Sequence, residues 1–494
     1  MLTGLTRRWS GTAEAKTRPI VRTVAARYWP VAVAVVAATW MYGPALNSAF
    51  LGDDYLLLLA SRQMPLGEFL RATWDPSADA GILQLSENYW RPLSFLTFRG
   101  MYWIFGGDPL PYHLFNLGVH LASVVLVFEL TRRLVDGRLA PAVAAFVMAL
   151  HPAGRESITW IASLNSAGLP LALAAWLAFL PATDAARSRS SRLTWCGASV
   201  VLTMAALLFR ETAAAVTVAM VLWYVLVPGR GRWAERNTWL LAALPLVPVA
   251  LAAALSFFGV SSGSRDALVG AEANALDRWW FYVKLALVPQ AADPGEGAFV
   301  LWPQRALAFV MIAVPIGALL RRDWLLAALG LGFLVSLVPY ALFGLGFGIR
   351  YFYYPSALLA LVAGTVAQRL WDGRSLPSPL RAPAAAALLV VVAVAALVGC
   401  DAVTDWRREN PDVHQHWVDG LRREHPTLPA GGAVWAIDTP YPLSLLDAYI
   451  LSPTVAYYYG DPGRAVYSTG SGNLWYVEAI VGPDDRIYRF QPKD

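Results

Sequence analysis

Trp29-Pro-Val-Ala-Val-Ala-Val-Val-Ala-Ala-Thr-Trp-Met-Tyr-Gly-Pro-Ala-Leu-Asn-Ser-Ala-Phe-Leu51 runs directly into Gly52-Asp53-Asp54-Tyr55. The first part is long and apolar enough to cross a bilayer as a helix. The second puts two adjacent carboxylates at the membrane edge. A charged side chain at the bilayer centre costs about 3 kcal/mol, and ionisable groups near membrane depth mark functional sites or water-filled cavities. Adjacent acids also repel each other. Such a pair suits a metal ion, a base with a raised pKa or an open aqueous rim. The plain alternative is a helix-end charge pair that faces water.

The rest of the composition agrees with a membrane protein. Of the 494 residues, 57% are hydrophobic and 15% charged, against about 25% charged in soluble proteins. Aromatic residues reach 12%, which suits many interfacial anchors. The net charge of +5 comes from Arg clusters between apolar runs, the pattern of cytoplasmic loops, and does not point to nucleic acid. Cys196 and Cys400 fall near opposite membrane faces, so no disulfide framework is expected. Arg7, Arg8, Lys16, Arg18, Arg22 and Arg27 precede the apolar run, which has no small-x-small cleavage site. Residues 1–28 therefore read as a cytoplasmic basic segment before a retained signal-anchor.

Apolar length and Arg/Lys bias place the spans. They fall at about 29–50, 112–131, 139–151, 164–181, 193–209, a sixth ending at Val227, 239–258, 303–320, 324–343, Tyr351 to about 367, and 383–399. This makes about eleven transmembrane helices over residues 29–400, N-terminus inside and C-terminus outside. Outer loops are expected at 52–111 and 259–298. The first should hold surface helices at about 64–73 and 92–105, the second lying in the interface with Arg99 turned to water or headgroups. Arg278 to Lys284 is another interfacial helix candidate. Residues 401–494 lose the long apolar runs. Trp406, Val413, Trp417 and Leu421 recur at helical spacing, and short β-prone runs follow. A small α/β or β-rich outer domain is expected there. His414 and His416 are two apart, so they face different sides of a helix and do not suggest a metal site.

The outer junctions collect Asp53, Asp54, Arg91, His113, His151, Arg155, Glu156, Arg210, Glu211, Lys284 and Arg350 at one membrane depth. Acids and arginines at one interface suit a phosphate-bearing substrate, because Arg holds phosphate by bidentate charge-assisted hydrogen bonds. A carboxylate could take the proton of an acceptor hydroxyl. A divalent ion such as Mg or Mn, held by Asp53 and Asp54, could stabilise a phosphate leaving group. The plain reading is a set of snorkelling arginines with local pairs Arg155–Glu156 and Arg210–Glu211.

Several ordered stretches resemble a known family. They are Asn47-Ser-Ala-Phe-Leu-Gly-Asp53-Asp54, Tyr89-Trp-Arg91-Pro92-Leu93, Tyr102-Trp-Ile-Phe-Gly106, and Tyr112-His113-Leu-Phe-Asn116. His151-Pro152 with Glu156 and Trp160-Ile161, Phe209-Arg210-Glu211-Thr212, and Arg350-Tyr-Phe-Tyr-Tyr-Pro-Ser356 complete the set. Together they resemble the GT-C class of integral-membrane glycosyltransferases, in particular the transmembrane O-mannosyltransferase-like proteins that in animals also carry tetratricopeptide repeats. The repeats themselves are absent here.

The resemblance implies an all-α polytopic GT-C fold, with residues 401–494 as an extracytoplasmic α/β domain. It implies a polyprenyl-phosphate sugar donor and an acceptor (protein, lipid or cell-envelope glycan) on the outer face of the cytoplasmic membrane. Asp53 or Asp54 would be the catalytic base or a metal ligand, and Glu156 would position acceptor or base. Arg350, with Arg155 or Arg210, would hold the lipid phosphate. Arg91, Lys284, His113, His151 and Tyr351 complete the expected donor-binding set. A flippase for a lipid-linked anion would need broken helices at the midplane, and a non-catalytic scaffold would tolerate loss of Asp53 and Asp54.

Overall fold

The structure is a computed structural model. It describes residues 13–75, 90–162, 164, 166–184, 186–227, 236–259, 276, 279–280, 282–283, 301–342, 349–373, 397, 399–401, 403–405, 407–408, 411–427, 433–437, 447–460, 466–469, 476–481 and 487–488. The expected span at 383–399 and Lys284 lie largely or wholly outside these residues, as does most of the 259–298 loop.

Helix α1 (Ala13–Tyr42) ends at Gly43-Pro44, where a 3-10 turn, Gly43–Asn47, takes over. Gly52 then adopts φ +54 and ψ −110, a conformation open to glycine and costly for other residues. This turn starts α2 (Asp53–Gln63). Both acids sit in its first turn, where the helix dipole favours negative charge. The sequence reading places no helix there. α3 (Leu66–Trp74) and α4 (Pro92–Phe105) occupy the two expected loop-helix positions.

α4 corrects one expectation. Arg99 is 5% exposed. It donates to the Met64 carbonyl at 2.8 Å, and its guanidinium lies 4.3 Å from the Phe69 ring centroid and 5.2 Å from that of Trp103. α3 and the end of α2 cover it, so it turns inward.

The bundle continues with α5 (Pro109–Leu134), α6 (Leu139–Leu150), a short α7 (Gly154–Thr159), α8 (Gly168–Ala182), α9 (Arg189–Phe209) and α10 (Ala214–Leu226). The expected span at 239–258 is two helices, α11 (Arg236–Ala243) and α12 (Leu246–Gly259). Pro245 between them has no N–H to continue the ladder. After α13 (Leu301–Leu320), the span at 324–343 is likewise α14 (Trp324–Ser336) and α15 (Val338–Leu342), parted beside Pro339. A 3-10 turn, Ile349–Phe352, leads into α16 (Tyr353–Trp371).

Among the described residues, Arg27–Asn47, Pro109–Leu134 and Arg189–Phe209 are long and apolar enough to cross a membrane. Six further apolar helices, such as Leu139–Leu150 and Phe309–Leu320, are shorter. Of the about eleven spans expected, one of them already short at 139–151, those at 239–258 and 324–343 are each divided beside a proline, and 383–399 lies largely outside the described residues.

α6 packs on α16 and α5, α8 on α9, and α10 on α14. Small residues permit the close approaches, as they do between helices in membranes. A Cβ on Gly332 would meet Ala219 Cβ at 2.7 Å, and one on Gly364 would collide with the Ala140 carbonyl. Trp176 and Trp223 are fully buried, with ring centroids 6.2 Å apart. The second-loop candidate helix also turns inward: Tyr282 and Val283 are buried, and Trp279 Nε1 donates to the Leu334 carbonyl at 3.2 Å.

Beyond residue 401 come α17 (Pro411–Glu424) and α18 (Asp447–Tyr459). Four short strands, β1 (Ala433–Ile437), β2 (Val466–Thr469), β3 (Tyr476–Val481) and β4 (Ile487–Tyr488), pair in the order β2-β1-β3-β4. β1 and β2 are parallel, while β1–β3 and β3–β4 are antiparallel. α18 supplies the crossover that a parallel pair needs.

Candidate active site

Asp54 is the hinge of the site, and it faces inward. It is 1% exposed. Its Oδ2 accepts the Leu51 N–H at 2.7 Å, and its Oδ1 accepts the Ala162 N–H. The carboxylate therefore ties the turn before α2 to the segment after α7. Burying a carboxylate is costly unless such donors meet it. Asp53 is the first residue of α2, and its side chain lies outside the description.

α7 carries Arg155 and Glu156. The Glu156 carboxylate reaches Arg350 Nη1 at 3.4 Å. Arg350 also lies 5.0 Å from the Trp160 ring centroid and 5.0 Å from that of Tyr351, and donates to the Tyr351 hydroxyl at 3.4 Å. Its backbone carbonyl accepts from Ser157 Oγ at 3.4 Å. Arg350 thus crosses from the turn before α16 to α7, over 194 residues of sequence. Arg155 Nε is buried and meets no hydrogen-bond partner among the described residues.

A second pair lies beside the first. Arg91, the residue before α4, makes a bidentate contact with Glu211 at 2.8 and 2.6 Å. Burial favours the neutral acid, but Arg91 and Arg210 outweigh it and hold the Glu211 carboxyl at about 2. Arg210 is 3% exposed. Burial, then Arg91 and more weakly Arg350, loosen its hold on its proton, while Glu211 and Tyr351 oppose them. Arg91, Arg210 and Arg350 therefore share one electrostatic environment with Glu156 and Glu211. Several arginines gathered at one place suit an anionic ligand. Both glutamates reach across the fold, to cations on other elements.

The two histidines serve the frame. His113 is 1% exposed, and its Nε2 donates to the Ser48 carbonyl at 2.9 Å, which ties α5 to the turn before Asp53. His151 Nδ1 accepts the Ala153 N–H at 3.1 Å, and its ring stacks on Phe352 at 5.3 Å. Tyr42, which the sequence reading passes over, donates to the His151 carbonyl at 3.0 Å. A Cβ on Gly154 would collide with that hydroxyl. Trp160 is the other omission: its place in the His-Pro…Glu…Trp segment is the signal that marks it.

The metal role expected of Asp53 and Asp54 turns in part on Asp53, whose side chain lies outside the described residues. Both Asp54 oxygens already accept backbone N–H groups. Among the described residues no three His, Cys, Asp or Glu side chains gather as a metal site.

The C-terminal helices lie against α2. Tyr55 and Tyr458 hydroxyls are 3.1 Å apart, Tyr55 stacks on His414 at 5.3 Å, and Arg62 donates to the Tyr457 carbonyl at 3.3 Å. His414 is fully buried, with its Nε2 3.1 Å from Thr454 Oγ1. α17 and α18 thus sit on the helix that begins with the two acids.

Residues 91–253 match the family model described as dolichyl-phosphate-mannose-protein mannosyltransferase. That stretch holds Arg91, Arg155, Glu156, Arg210 and Glu211. The chain is 32% identical over 181 residues to the protein O-mannosyl-transferase Tmtc1 of Drosophila melanogaster, covering 35% of this chain and 20% of that protein. It is 31% identical over 184 residues to Tmtc2 of the same organism, covering 35% and 19%. The chain therefore spans about a fifth of the length of the curated relatives it matches. Over 90% of its length it superposes on 86% of ArnT from Cupriavidus metallidurans in the apo state, with a TM-score of 0.51 and 15% identity. That likeness is one of fold. The resemblance read from the ordered motifs stands on these matches.

Proposed function

We propose that this chain is an integral-membrane glycosyltransferase. It moves a sugar from a polyprenyl-phosphate donor to an acceptor on the extracytoplasmic face of the cytoplasmic membrane. The acceptor is a protein, a lipid or an envelope glycan. The observation that carries this reading is the cluster of Arg91, Arg210 and Arg350 with Glu156 and Glu211, next to the turn of Asp53 and Asp54.

In this reading the acceptor hydroxyl oxygen attacks the anomeric carbon. The bond from that carbon to the phosphate oxygen breaks, and polyprenyl phosphate leaves with the electron pair. Asp53 takes the hydroxyl proton as general base. Asp54, with both oxygens held by backbone N–H groups, fixes the turn that aims Asp53. Arg350 holds the phosphate and stabilises the charge it gains, helped by Arg155 and Arg210. Its guanidinium is oriented by Glu156 and stacked on Trp160, so little reorganisation remains at the moment of transfer. Lys284 and Tyr351 add to the donor site. His113 and His151, tied to backbone groups, hold the walls of the site. The N-terminus is cytoplasmic, and residues 401–494 form an extracytoplasmic domain over α2 that borders the acceptor path.

The test is sugar transfer by the reconstituted chain, with a panel of polyprenyl-phosphate sugars and with donor hydrolysis read alongside. Turnover of a donor that disappears in Asp53→Asn supports the assignment. Tight donor binding without turnover, unchanged in Asp53→Asn and Asp54→Asn, would replace it with transport or scaffolding.

A further inference from the structure

At the end of the bundle remote from Asp54, α1, α5, α6 and α16 leave an open groove of about 1130 Å³. Along α5, Arg132 lies about 28 Å from His113, at about 1.5 Å per residue. Arg27, Arg132 and Arg138 line the groove together with Trp29, Phe128 and Trp371.

The cations are unevenly engaged. Arg132 and Arg133 both donate to Glu129. Arg27 and Arg138 are exposed, and neither pairs with a carboxylate among the described residues. The indoles are open as well: Trp29 is 60% and Trp371 67% exposed.

The floor of the groove is built. Gln368 is buried, and its Oε1 accepts the Leu139 and Ala140 N–H groups at 3.1 and 3.2 Å. Its Nε2 donates to Asp372 Oδ1 at 2.8 Å. Gly137 has φ +124, and a Cβ there would run into the Gln368 amide. These contacts fix the strand of chain that carries Arg138.

Unpaired guanidinium groups recognise phosphate, and basic pockets between membrane helices suit anionic headgroups. The apolar walls add what a free anion would leave unused. We propose that this groove binds an anionic phospholipid at the Arg-rich end of the bundle. Its headgroup phosphate sits on Arg27 and Arg138, and an acyl chain lies along Trp29, Phe128 and Trp371. The site is separate from the transfer chemistry and does not rest on it.

The test uses the full chain in phosphatidylcholine nanodiscs doped with phosphatidylglycerol, followed by native mass spectrometry of the lipid that stays bound in detergent. Wild type should retain phosphatidylglycerol. R27Q/R138Q should retain it about tenfold less or weaker still, with an unchanged melting temperature because both side chains are exposed. R133Q/R187Q, at the end of α5 and just before α9, where each arginine pairs with a neighbouring acid, removes the same formal charge and should retain it fully. Trp371→Ala should lose the lipid with every charge intact, and glycerol phosphate should not displace it. Equal retention by R27Q/R138Q and wild type would overturn the proposal. So would equal loss in the two double variants, full retention by Trp371→Ala, or displacement by glycerol phosphate.

Discussion

Neighbouring acids can divide labour by where their oxygens point. Asp54 spends both on the Leu51 and Ala162 N–H groups inside the protein. Its partner at Ala162 lies 108 residues on, so nothing in the local sequence marks it as buried. Hydrogen bonds to a charged group are worth about 1.5–3 kcal/mol each. Asp54→Asn should therefore lower unfolding stability in detergent by about 2 kcal/mol, whereas Asp53→Asn should leave stability near wild type and abolish transfer. Equal destabilisation by both changes would remove the division of roles. Arg350 permits a second test. Arg350→Lys keeps the charge but loses the planar fork and the stacking between Trp160 and Tyr351. Stacking of this kind contributes about 1–2 kcal/mol when desolvated, so donor turnover should fall about tenfold with the fold intact. Wild-type turnover in Arg350→Lys would mean that the rings merely pack.

At the level of elements, periodicity and apolar length locate most helices, because burial against lipid and neighbours rewards the same pattern that they measure. The positions of α3 and α4 and those of α5, α6, α8, α9 and α10 follow the apolar runs closely. What stays hidden is what one residue decides. Pro245 and Pro339 split two expected spans, and Gly52 opens a helix that looks like loop. Arg99 reads as snorkelling because its cover, Phe69 and the Met64 carbonyl, belongs to other elements. Glu156 and Glu211 read as local pairs of their sequence neighbours, while Arg350 and Arg91, which they meet in the structure, lie 194 and 120 residues away. The α6–α16 contact shows how tightly such crossings are held. Gly364 lies against the Ala140 carbonyl, with Ala144 Cβ at 3.1 Å from the place of its missing Cβ. A backbone carbonyl cannot rotate away as a side chain can. Gly364→Val should cost about 1–3 kcal/mol, read as a lower melting temperature in detergent. An unshifted melting temperature would mean that the two helices slide apart freely.

Across the whole molecule, the C-terminal helices join the extremes of the chain. α17 and α18 cover α2 through Tyr55, and His414 is the buried centre of that contact. Burial disfavours its charged form and lowers its pKa to about 3, from about 6.5 in an unfolded chain. Around it are Tyr55, Trp417 and Thr454, none of which carries charge at neutral pH. The released form of α17 therefore binds a proton that the docked form refuses. Docking is fully stable above about pH 6.5 and weakens as the pH falls towards 3. Each pH unit within that window costs about 1.4 kcal/mol, so about 2 kcal/mol is lost between pH 7 and pH 5. Hydrogen exchange of residues 411–424 should accelerate over that interval, while exchange in α5 and α6 stays constant. His414→Phe keeps a flat ring against Tyr55 and removes the titration, so its exchange should be independent of pH over the same range. Should wild type and His414→Phe respond alike to acid, another group would govern the docking of these helices, and the link between the C-terminal segment and the Asp53–Asp54 turn would not pass through His414.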